Sequence, residues 1–177
     1  MKIAVFCSSR MGHNKALKEL AGALGAWLAG KGHTLIYGGE YYGLMAVLAD
    51  AVLDGGGRLV GVVPQIPSML ENVHPRLSEC IYTQDMADRK RKMLSLADAF
   101  IALPGGPGTL DELSEALCAN RIGVMAKPLV LLGTAGFYDP IRQLVESMRQ
   151  EEMIGEQEDR LLLITESLSE TEAFLAE

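Results

Sequence analysis

The sequence predicts a three-layer α/β/α fold, in which helices cover both faces of a mostly parallel β-sheet. Short apolar runs alternate with longer segments whose apolar residues recur at helical spacing, and the connections between them are short. Hydrophobic residues make up 49% of the chain and charged residues 22%, which is the balance of a folded globular protein. No repeat, low-complexity tract or linker interrupts the pattern, so residues 1–177 are predicted to form a single domain.

The first two elements show the patterns behind these assignments. The run KIAVFCS at residues 2–8 is rich in Ile, Val and Phe and ends in small polar residues, which is typical of a buried strand. Residues 14–31 carry leucines and alanines at helical spacing, and glycines end this helix. In chain order, the remaining predicted elements are a strand at 33–39, a helix at 44–53, a strand at 58–64, a long loop at 65–79, a short strand at 80–83, a helix at 85–97, a strand at 98–104, a helix at 110–122, a strand at 127–133, a helix at 138–151, a strand at 160–165 and a final short helix.

Charge and cysteine content limit the classes of partner. The formal net charge of −7 disfavours nucleic-acid polymers and anionic membranes, because both need a positive field. The three cysteines are far apart in the sequence and form no CxxC pair, which argues against a disulfide framework or a zinc site. We therefore expect a cytoplasmic protein, and no apolar run approaches the length of a transmembrane helix.

Three polar or glycine-rich segments follow predicted strands: CSSR, YGGEYYGLM and PGGPGTLDE. Ligands of open parallel sheets bind outside the carboxyl ends of the strands, where glycines expose backbone N–H groups. A helix N-terminus there adds partial positive charge, which suits a phosphate. The residues expected to contact a ligand at this edge are Ser8, Gly38, Gly39, Gly105, Gly106, Gly108 and Thr109.

The segment PGGPGTLDE has two interpretations. It fits a tight strand-to-helix turn with Thr109 as the N-cap, and Glu112 then stands at the capping-box position. It also fits an anion site, in which the helix dipole keeps Glu112 ionised beside a sugar that develops positive charge. The segment matches neither the P-loop pattern nor a complete dinucleotide fingerprint.

A basic cluster, Arg89 to Lys92, stands out in this acidic chain. Charge runs of this kind usually form a solvated helix face. Four consecutive residues go about once round a helix, however, so one or two could face the carboxyl edge of the sheet. Arg89 could then hold a phosphate or sugar oxygen with its planar guanidinium.

The other candidate ligand residues are assigned to structural roles. His33 and His74 are interpreted as packing or surface residues, and a helper role at the site stays open for His74. No two histidines show metal-ligand spacing, so we predict no metal. Met86, Met93 and Met125 are interpreted as core or interface residues.

Taken together, the motifs resemble those of the LOG ("lonely guy") family, the cytokinin riboside 5′-monophosphate phosphoribohydrolases. The motifs YGGEYYGLM, M-x-x-R-K within DMADRK, PGGPGTLDE and GFYDP occur in the order and spacing of that family, over nearly the whole chain. The resemblance implies a Rossmann-like fold, usually dimeric, without a metal or nicotinamide cofactor. Many members were once labelled lysine decarboxylases, but we find no motif that supports pyridoxal phosphate chemistry.

The resemblance also implies roles for individual residues. Arg89 and Glu112 would be the catalytic pair, with Lys90 beside Arg89. The glycine loop from Gly105 to Thr109 would bind the 5′-phosphate, and Glu71 looks like a substrate-contacting glutamate of the family.

The sequence departs from the family pattern mainly at the base-recognition end and at the dimer contacts. At each of these positions the residue present differs from the one usual in the family: Glu40 replaces glycine, Ala87 replaces histidine, Pro107 replaces an aromatic residue, Cys118 replaces threonine, Ala119 replaces tryptophan and Arg121 replaces glutamine. Glu40 also adds negative charge near the expected anion site, which the sequence does not explain.

The resemblance predicts hydrolysis of the N-glycosidic bond of purine nucleoside 5′-monophosphates, including N6-modified ones, to free base and ribose 5-phosphate. No cofactor is expected, the partner is a small nucleotide, and the protein is expected to be a homodimer or larger homo-oligomer. The alternative is a nucleotide or molybdenum-cofactor carrier without turnover.

Overall fold

One parallel sheet organises the chain, and the computed structural model describes residues 1–176, without the side chains of residues 157 and 158. The strands are β1 (Lys2–Phe6), β2 (Thr34–Tyr37), β3 (Arg58–Pro64), β4 (Glu79–Thr83), β5 (Ala99–Ala102), β6 (Leu129–Leu132) and β7 (Leu162–Thr165). The helices are α1 (Lys15–Gly30), α2 (Gly43–Asp54), α3 (Pro67–Leu70), α4 (Met86–Leu96), α5 (Pro107–Arg121), α6 (Asp139–Gln150), α7 (Glu156–Arg160) and α8 (Leu168–Leu175).

The order of the strands determines where a ligand can bind. The 7-stranded sheet has the order β4-β3-β2-β1-β5-β6-β7, and every pairing is parallel. The chain builds one half outward from β1 and then returns to place β5 on the other side of β1, with Phe6 opposite Ala102. Loops leave these two strands in opposite directions, so a crevice opens between their carboxyl ends.

Successive residues of β1 point to opposite faces of the sheet and pack into two separate hydrophobic cores. The sheet therefore lies between two layers of helices, which confirms the predicted three-layer fold. Ile3 and Val5 point into the core covered by α1, α2 and α8. Ala4 and Phe6 point into the opposite core, which α4, α5 and α6 cover. A strand that is buried on both faces has apolar residues at successive positions. For this reason apolar and polar residues do not alternate along β1.

The helical pattern of the sequence is confirmed, with additions in the loops. The predicted loop at 65–79 contains the short helix α3. The helix α7 lies in the unassigned stretch before the predicted strand at 160–165 and overlaps it only at Arg160. None of the helices in the described part of the chain is long and apolar enough to cross a membrane.

The close approach of α1 and α2 depends on Gly25, which predicts a large effect of a single methyl group. A Cβ at Gly25 would lie 2.6 Å from the carbonyl oxygen of Leu48 and 2.7 Å from the Cβ of Ala51. We expect Gly25→Ala to lower the free energy of unfolding by about 1–3 kcal/mol, because the helices must move apart. Gly30→Ala is the matched control, since a Cβ there meets nothing within 4 Å and the alanine favours the helix. Urea denaturation measures both variants, and equal stability of Gly25→Ala and the wild type would contradict the packing argument.

Candidate active site

A cleft of about 420 Å³ opens at the carboxyl edge of the sheet. Its walls come from the loop after β1, the loop between β2 and α2, the first turns of α2 and α4, the short helix α3 and the first two turns of α5. The three segments singled out in the sequence meet here. The lining residues are Cys7, Ser8, Ser9, Arg10, Glu40, Met45, Met69, Met86, Arg89, Gly106, Pro107, Gly108, Thr109 and Glu112.

The loops after β1 and β2 pack directly against each other. Gly43 has a positive φ of 50°, and a Cβ there would lie 2.4 Å from the backbone carbon of Ser9. The N–H of Leu44 donates to the carbonyl of Ser8 at 3.1 Å, and the hydroxyl of Ser8 accepts from the N–H of Arg10 at 2.9 Å. Ser8 therefore lines the cleft from a loop whose backbone is held on two sides.

The glycine loop begins from a fixed point at the end of β5. The N–H of Leu103 donates to the carbonyl of Phe6 at 2.9 Å, and the Tyr138 hydroxyl donates to the carbonyl of Leu103 at 2.7 Å. A Cβ at Gly105 would lie 2.1 Å from Oγ1 of Thr109, so only glycine lets the loop fold back over the first turn of α5. Gly105 shapes the loop in this way without lining the cleft itself.

The start of α5 corrects one sequence interpretation. Gly106 is the N-cap and Pro107 the first helical residue, so α5 begins three residues earlier than predicted and Thr109 lies inside its first turn. Thr109 is therefore not the cap, and Glu112 is not a capping-box residue. No side chain of the described chain caps this helix, so the N–H groups of Gly108 and Thr109 remain available at the cleft.

Arg89 reaches the cleft from the first turn of α4, where Asp85 caps the helix. Its side chain is 7% exposed, and its Nη2 donates to Oε1 of Glu112 at 3.2 Å. Its Nε has no hydrogen-bond partner among the described residues, and its Nη1 contacts only the sulfur of Met86 at 3.9 Å. A buried guanidinium with unused donors is suited to gripping an oxyanion.

Glu112 lies opposite Arg89 and is 8% exposed. Burial raises the pKa of this carboxyl to about 7, and the neighbouring Arg89 opposes the rise. Burial therefore opposes the helix dipole, from which the sequence analysis expected an ionised carboxylate. Near neutral pH, Glu112 is poised to exchange a proton.

Two further titratable groups line the same cleft. Glu40 is 8% exposed, and burial raises the pKa of its carboxyl while Arg89 opposes the rise. Burial, reinforced by the charge of Glu112, raises the pKa of the Cys7 thiol far above its ordinary range. Cys7 is therefore a neutral wall residue, whereas Glu40 contributes a second acid.

Five residues predicted to contact the substrate lie outside the cleft lining: Gly38, Gly39, Glu71, Lys90 and Gly105. Lys90 turns to the side of α5, where it forms ion pairs with Asp111 at 2.9 Å and Glu115 at 2.7 Å. Glu71 is exposed and follows α3, although Met69 of the same helix lines the cleft. Gly39 turns the chain with a φ of +79° against Val63, so its role here is structural.

Gly38 supports the site by its lack of a side chain. A Cβ at this position would lie 2.5 Å from Nη2 of Arg89, so glycine lets the end of β2 approach the guanidinium. Gly106 and Gly108 line the cleft directly.

Sequence reasoning gave no role to several residues of the cleft. Arg10 lines the cleft and is the last residue of the CSSR segment. The position of that segment after β1, at the predicted ligand edge, could have identified Arg10 as a site residue. Met86 was interpreted as core or interface but lines the cleft, together with Met45 and Met69. Their thioethers give one side of the cleft a flexible apolar surface.

The histidines take the structural roles expected of them. His74 is 2% exposed, and its ring packs edge-on against Tyr41 with the centroids 4.6 Å apart. Between residues 1 and 176, no group of three or more His, Cys, Asp or Glu side chains is arranged to hold a metal ion.

Comparison with known structures places the fold in a larger class. The molybdenum cofactor carrier protein of Chlamydomonas reinhardtii superposes with a TM-score of 0.73, covers 100% of both chains and is 21% identical. The molybdenum cofactor binding protein of Rippkaea orientalis gives a TM-score of 0.72 at 21% identity and covers 99% of this chain and 95% of its own. At this identity the likeness concerns the fold, which is the predicted Rossmann-like arrangement.

Sequence comparison gives the family. Residues 45–174 match the family model described as "Possible lysine decarboxylase". The rice protein named cytokinin riboside 5′-monophosphate phosphoribohydrolase LOG is 38% identical over 162 residues, which cover 92% of this chain and 67% of the rice protein. The protein named cytokinin riboside 5′-monophosphate phosphoribohydrolase from Rhodococcoides fascians is 41% identical over 145 residues, covering 81% and 73% of the two chains. The chain therefore belongs to the LOG family.

Proposed function

We propose that this protein hydrolyses the N-glycosidic bond of purine nucleoside 5′-monophosphates. Water adds to the anomeric carbon of the ribose, the bond to the base breaks with its electron pair leaving on the base, and the base takes up a proton. The products are free base and ribose 5-phosphate. One observation carries the proposal: an uncapped helix N-terminus and a buried Arg89–Glu112 pair face the same cleft. The names of the relatives point to the same activity.

The first turn of α5 is the proposed phosphate site. The N–H groups of Gly108 and Thr109 have no side-chain acceptor, and the positive end of the helix dipole lies at the same place. Gly106 precedes them without a side chain, so a phosphate can approach the backbone closely.

Glu112 is proposed to act on the reacting sugar. Cleavage of an N-glycosidic bond develops positive charge on the ribose ring, and an ionised carboxylate stabilises that charge. The same carboxylate accepts a proton from the attacking water, and a pKa near 7 suits a group that accepts a proton at neutral pH. Glu112 lies one helical turn beyond the proposed phosphate site, so it can face the sugar attached to that phosphate.

Arg89 is proposed to hold the ribose phosphate and to orient Glu112. Its Nη2 donates to the carboxylate, while Nε and Nη1 retain hydrogen-bonding capacity for ligand oxygens. Lys90 and Glu71 take no direct part in this mechanism. Lys90 joins α4 to α5 through Asp111 and Glu115 and thereby supports the pair from behind.

We propose the remaining features together: a single cytoplasmic domain that needs no cofactor and takes AMP and N6-modified AMPs as substrates. The described chain contains only free cysteines, in keeping with a reducing compartment. The decisive experiment is incubation with AMP and N6-modified AMPs, with chromatography for the free base. Tight binding without release of base would favour the carrier alternative, for which the shared fold alone gives no support.

Replacing Glu112 tests the mechanism directly. Glu112→Gln keeps the size of the side chain and its contact with Arg89 but removes the negative charge and the proton acceptor. We expect release of adenine from AMP to fall by at least about 100-fold, because a positioned acid–base group contributes about that much or more. Glu19→Gln is the charge-matched control at an exposed site on α1 outside the cleft, and it should remain active. Circular dichroism checks the fold, and retained activity of Glu112→Gln would remove this residue from the mechanism.

The raised pKa of Glu112 predicts a pH dependence. Because the carboxylate form is the active one, kcat/KM should rise with pH through about 7 and reach a plateau above it. Carbon-13 NMR of glutamate side chains measures the same group without substrate, and the resonance missing from Glu112→Gln identifies it. A midpoint near the ordinary glutamate value of about 4.3 would contradict the argument from burial.

The exposed apolar face of α5 and α6 is the proposed homodimer interface. Leu110, Leu144 and Met153 are 50%, 51% and 67% exposed, and the groove between the helices has a volume of about 320 Å³. We expect a molecular mass of twice 19.1 kDa by sedimentation, because burying such a face stabilises association. Leu144→Arg should shift the protein towards the monomer, whereas Lys18→Glu on the exposed side of α1 should not. A monomeric wild type at micromolar concentration would contradict this interface.

A further inference from the structure

The segment GFYDP, residues 136–140, carries a motif of the family but takes no part in the proposed mechanism. It joins β6 to α6 and places Tyr138 behind the glycine loop. Tyr138 is 6% exposed, and its hydroxyl donates to the carbonyl oxygen of Leu103 at 2.7 Å. Leu103 directly follows β5, and Gly106, the N-cap of α5, lies three residues further on. The segment therefore reaches the backbone that leads into the proposed phosphate site.

Few other contacts hold the start of the glycine loop. Among the described residues, no other side chain forms a hydrogen bond with the backbone of residues 103–106. An open space of about 410 Å³ separates the loop from Phe137 and the first turn of α6, and Gly106 and Pro107 are exposed. Close packing therefore does not fix the loop on this side, and the Tyr138 hydroxyl links it to α6.

Tyr138 is itself held in a fixed position. The turn before it has left-handed backbone at Ala135 and Gly136, with φ of 52° and 71°. This conformation is unfavourable for alanine, so it persists only where the surrounding contacts hold it. The N–H of Gly136 donates to the carboxylate of Glu166 at 2.7 Å, which ties the turn to the segment after β7. The ring of Phe137 packs edge-on against Tyr138, with the centroids 5.1 Å apart.

The Tyr138 hydroxyl acts on the loop and not on the substrate. Tyr138 lies outside the cleft lining, and its side chain does not cap α6. Burial raises the pKa of the Tyr138 hydroxyl above its ordinary range, so the group remains a hydrogen-bond donor at neutral pH. Its one hydrogen bond in the described chain is the bond to Leu103. Any effect of this hydroxyl on a ligand must therefore pass through the backbone of the glycine loop.

Resting on the proposed phosphate site, we propose that Tyr138 is a positioning residue that fixes the glycine loop, so that the N–H groups of Gly108 and Thr109 meet the phosphate in hydrogen-bonding geometry. Hydrogen bonds weaken steeply when the donor turns away from the acceptor, so a small shift of the loop lowers the affinity for phosphate. The phosphate is not the reacting group, and its contacts are the same before and during bond cleavage. Their loss raises KM and leaves kcat nearly unchanged, whereas loss of Glu112 lowers kcat.

Tyr138→Phe tests this role, because it removes only the hydroxyl. Calorimetry with ribose 5-phosphate, which has no base to release, measures the affinity, and kinetics with AMP give kcat and KM. We expect about tenfold weaker binding and a similar rise in KM, the equivalent of one typical hydrogen bond, with kcat changed less than about threefold. Thr171→Val is the matched control, since it removes a buried hydroxyl that donates to the carbonyl of Ser167 at 3.0 Å on α8. This control should bind ribose 5-phosphate as the wild type does.

A second variant keeps the hydroxyl but moves it. A Cβ at Gly133 would lie 3.1 Å from Cδ2 of Tyr138, so Gly133→Ala must displace the ring by a few tenths of an ångström. We expect weaker binding of ribose 5-phosphate here too, and this variant carries the test if Tyr138→Phe does not fold.

The outcomes separate this inference from the proposed function. If Tyr138→Phe is less stable to urea but keeps the affinity and KM of the wild type, or if it lowers kcat alone, the positioning role is overturned. A wild type that does not bind ribose 5-phosphate would refute the phosphate site and this role together. Weaker binding by Tyr138→Phe, in a protein that releases no base from AMP, would uphold the inference and refute only the hydrolase proposal.

Discussion

The buried pair of Arg89 and Glu112 is the interaction on which the site depends. Removing both charges from water costs free energy, and their attraction offsets that cost only when the geometry is good and the remaining donors and acceptors of both groups are hydrogen-bonded. In the cleft this hydrogen bonding is incomplete, because Nε of Arg89 lacks a partner among the described residues. A pair left in this condition has unused binding capacity, and an oxyanion can supply the missing acceptor.

The fold brings this pair together through the reversal of strand order. α4 leads into β5 and α5 leads out of it, so both helices lie against β1 on the same face of the sheet. The carboxylate at the start of one helix thereby meets the guanidinium at the start of the other. The capping group that would ordinarily satisfy α5 is absent from the described chain, which leaves two backbone amides where the strands diverge. Some helix stability is given up there in exchange for an anion site.

Local patterns in the sequence predicted the layers and the ligand edge, but not the details that depend on tertiary contacts. Helix geometry allowed one or two of the four basic residues to face the cleft, but it did not show that Lys90 turns instead to Asp111 and Glu115 on α5. Both Gly106 and Thr109 satisfy local rules for a helix start, and the packing of Thr109 over Gly105 decides between them. Burial, which the sequence does not specify for Glu112, raises the pKa of that carboxyl to about 7.

An acidic chain that binds an anion must rely on directed dipoles more than on net charge. Here the proposed donors are main-chain amides and one guanidinium, while Lys90 is neutralised by carboxylates outside the cleft. Amides attract phosphate only at hydrogen-bonding distance, so they add selectivity without a long-range field. Because the net charge of such a site is close to zero, a single extra carboxylate changes its balance.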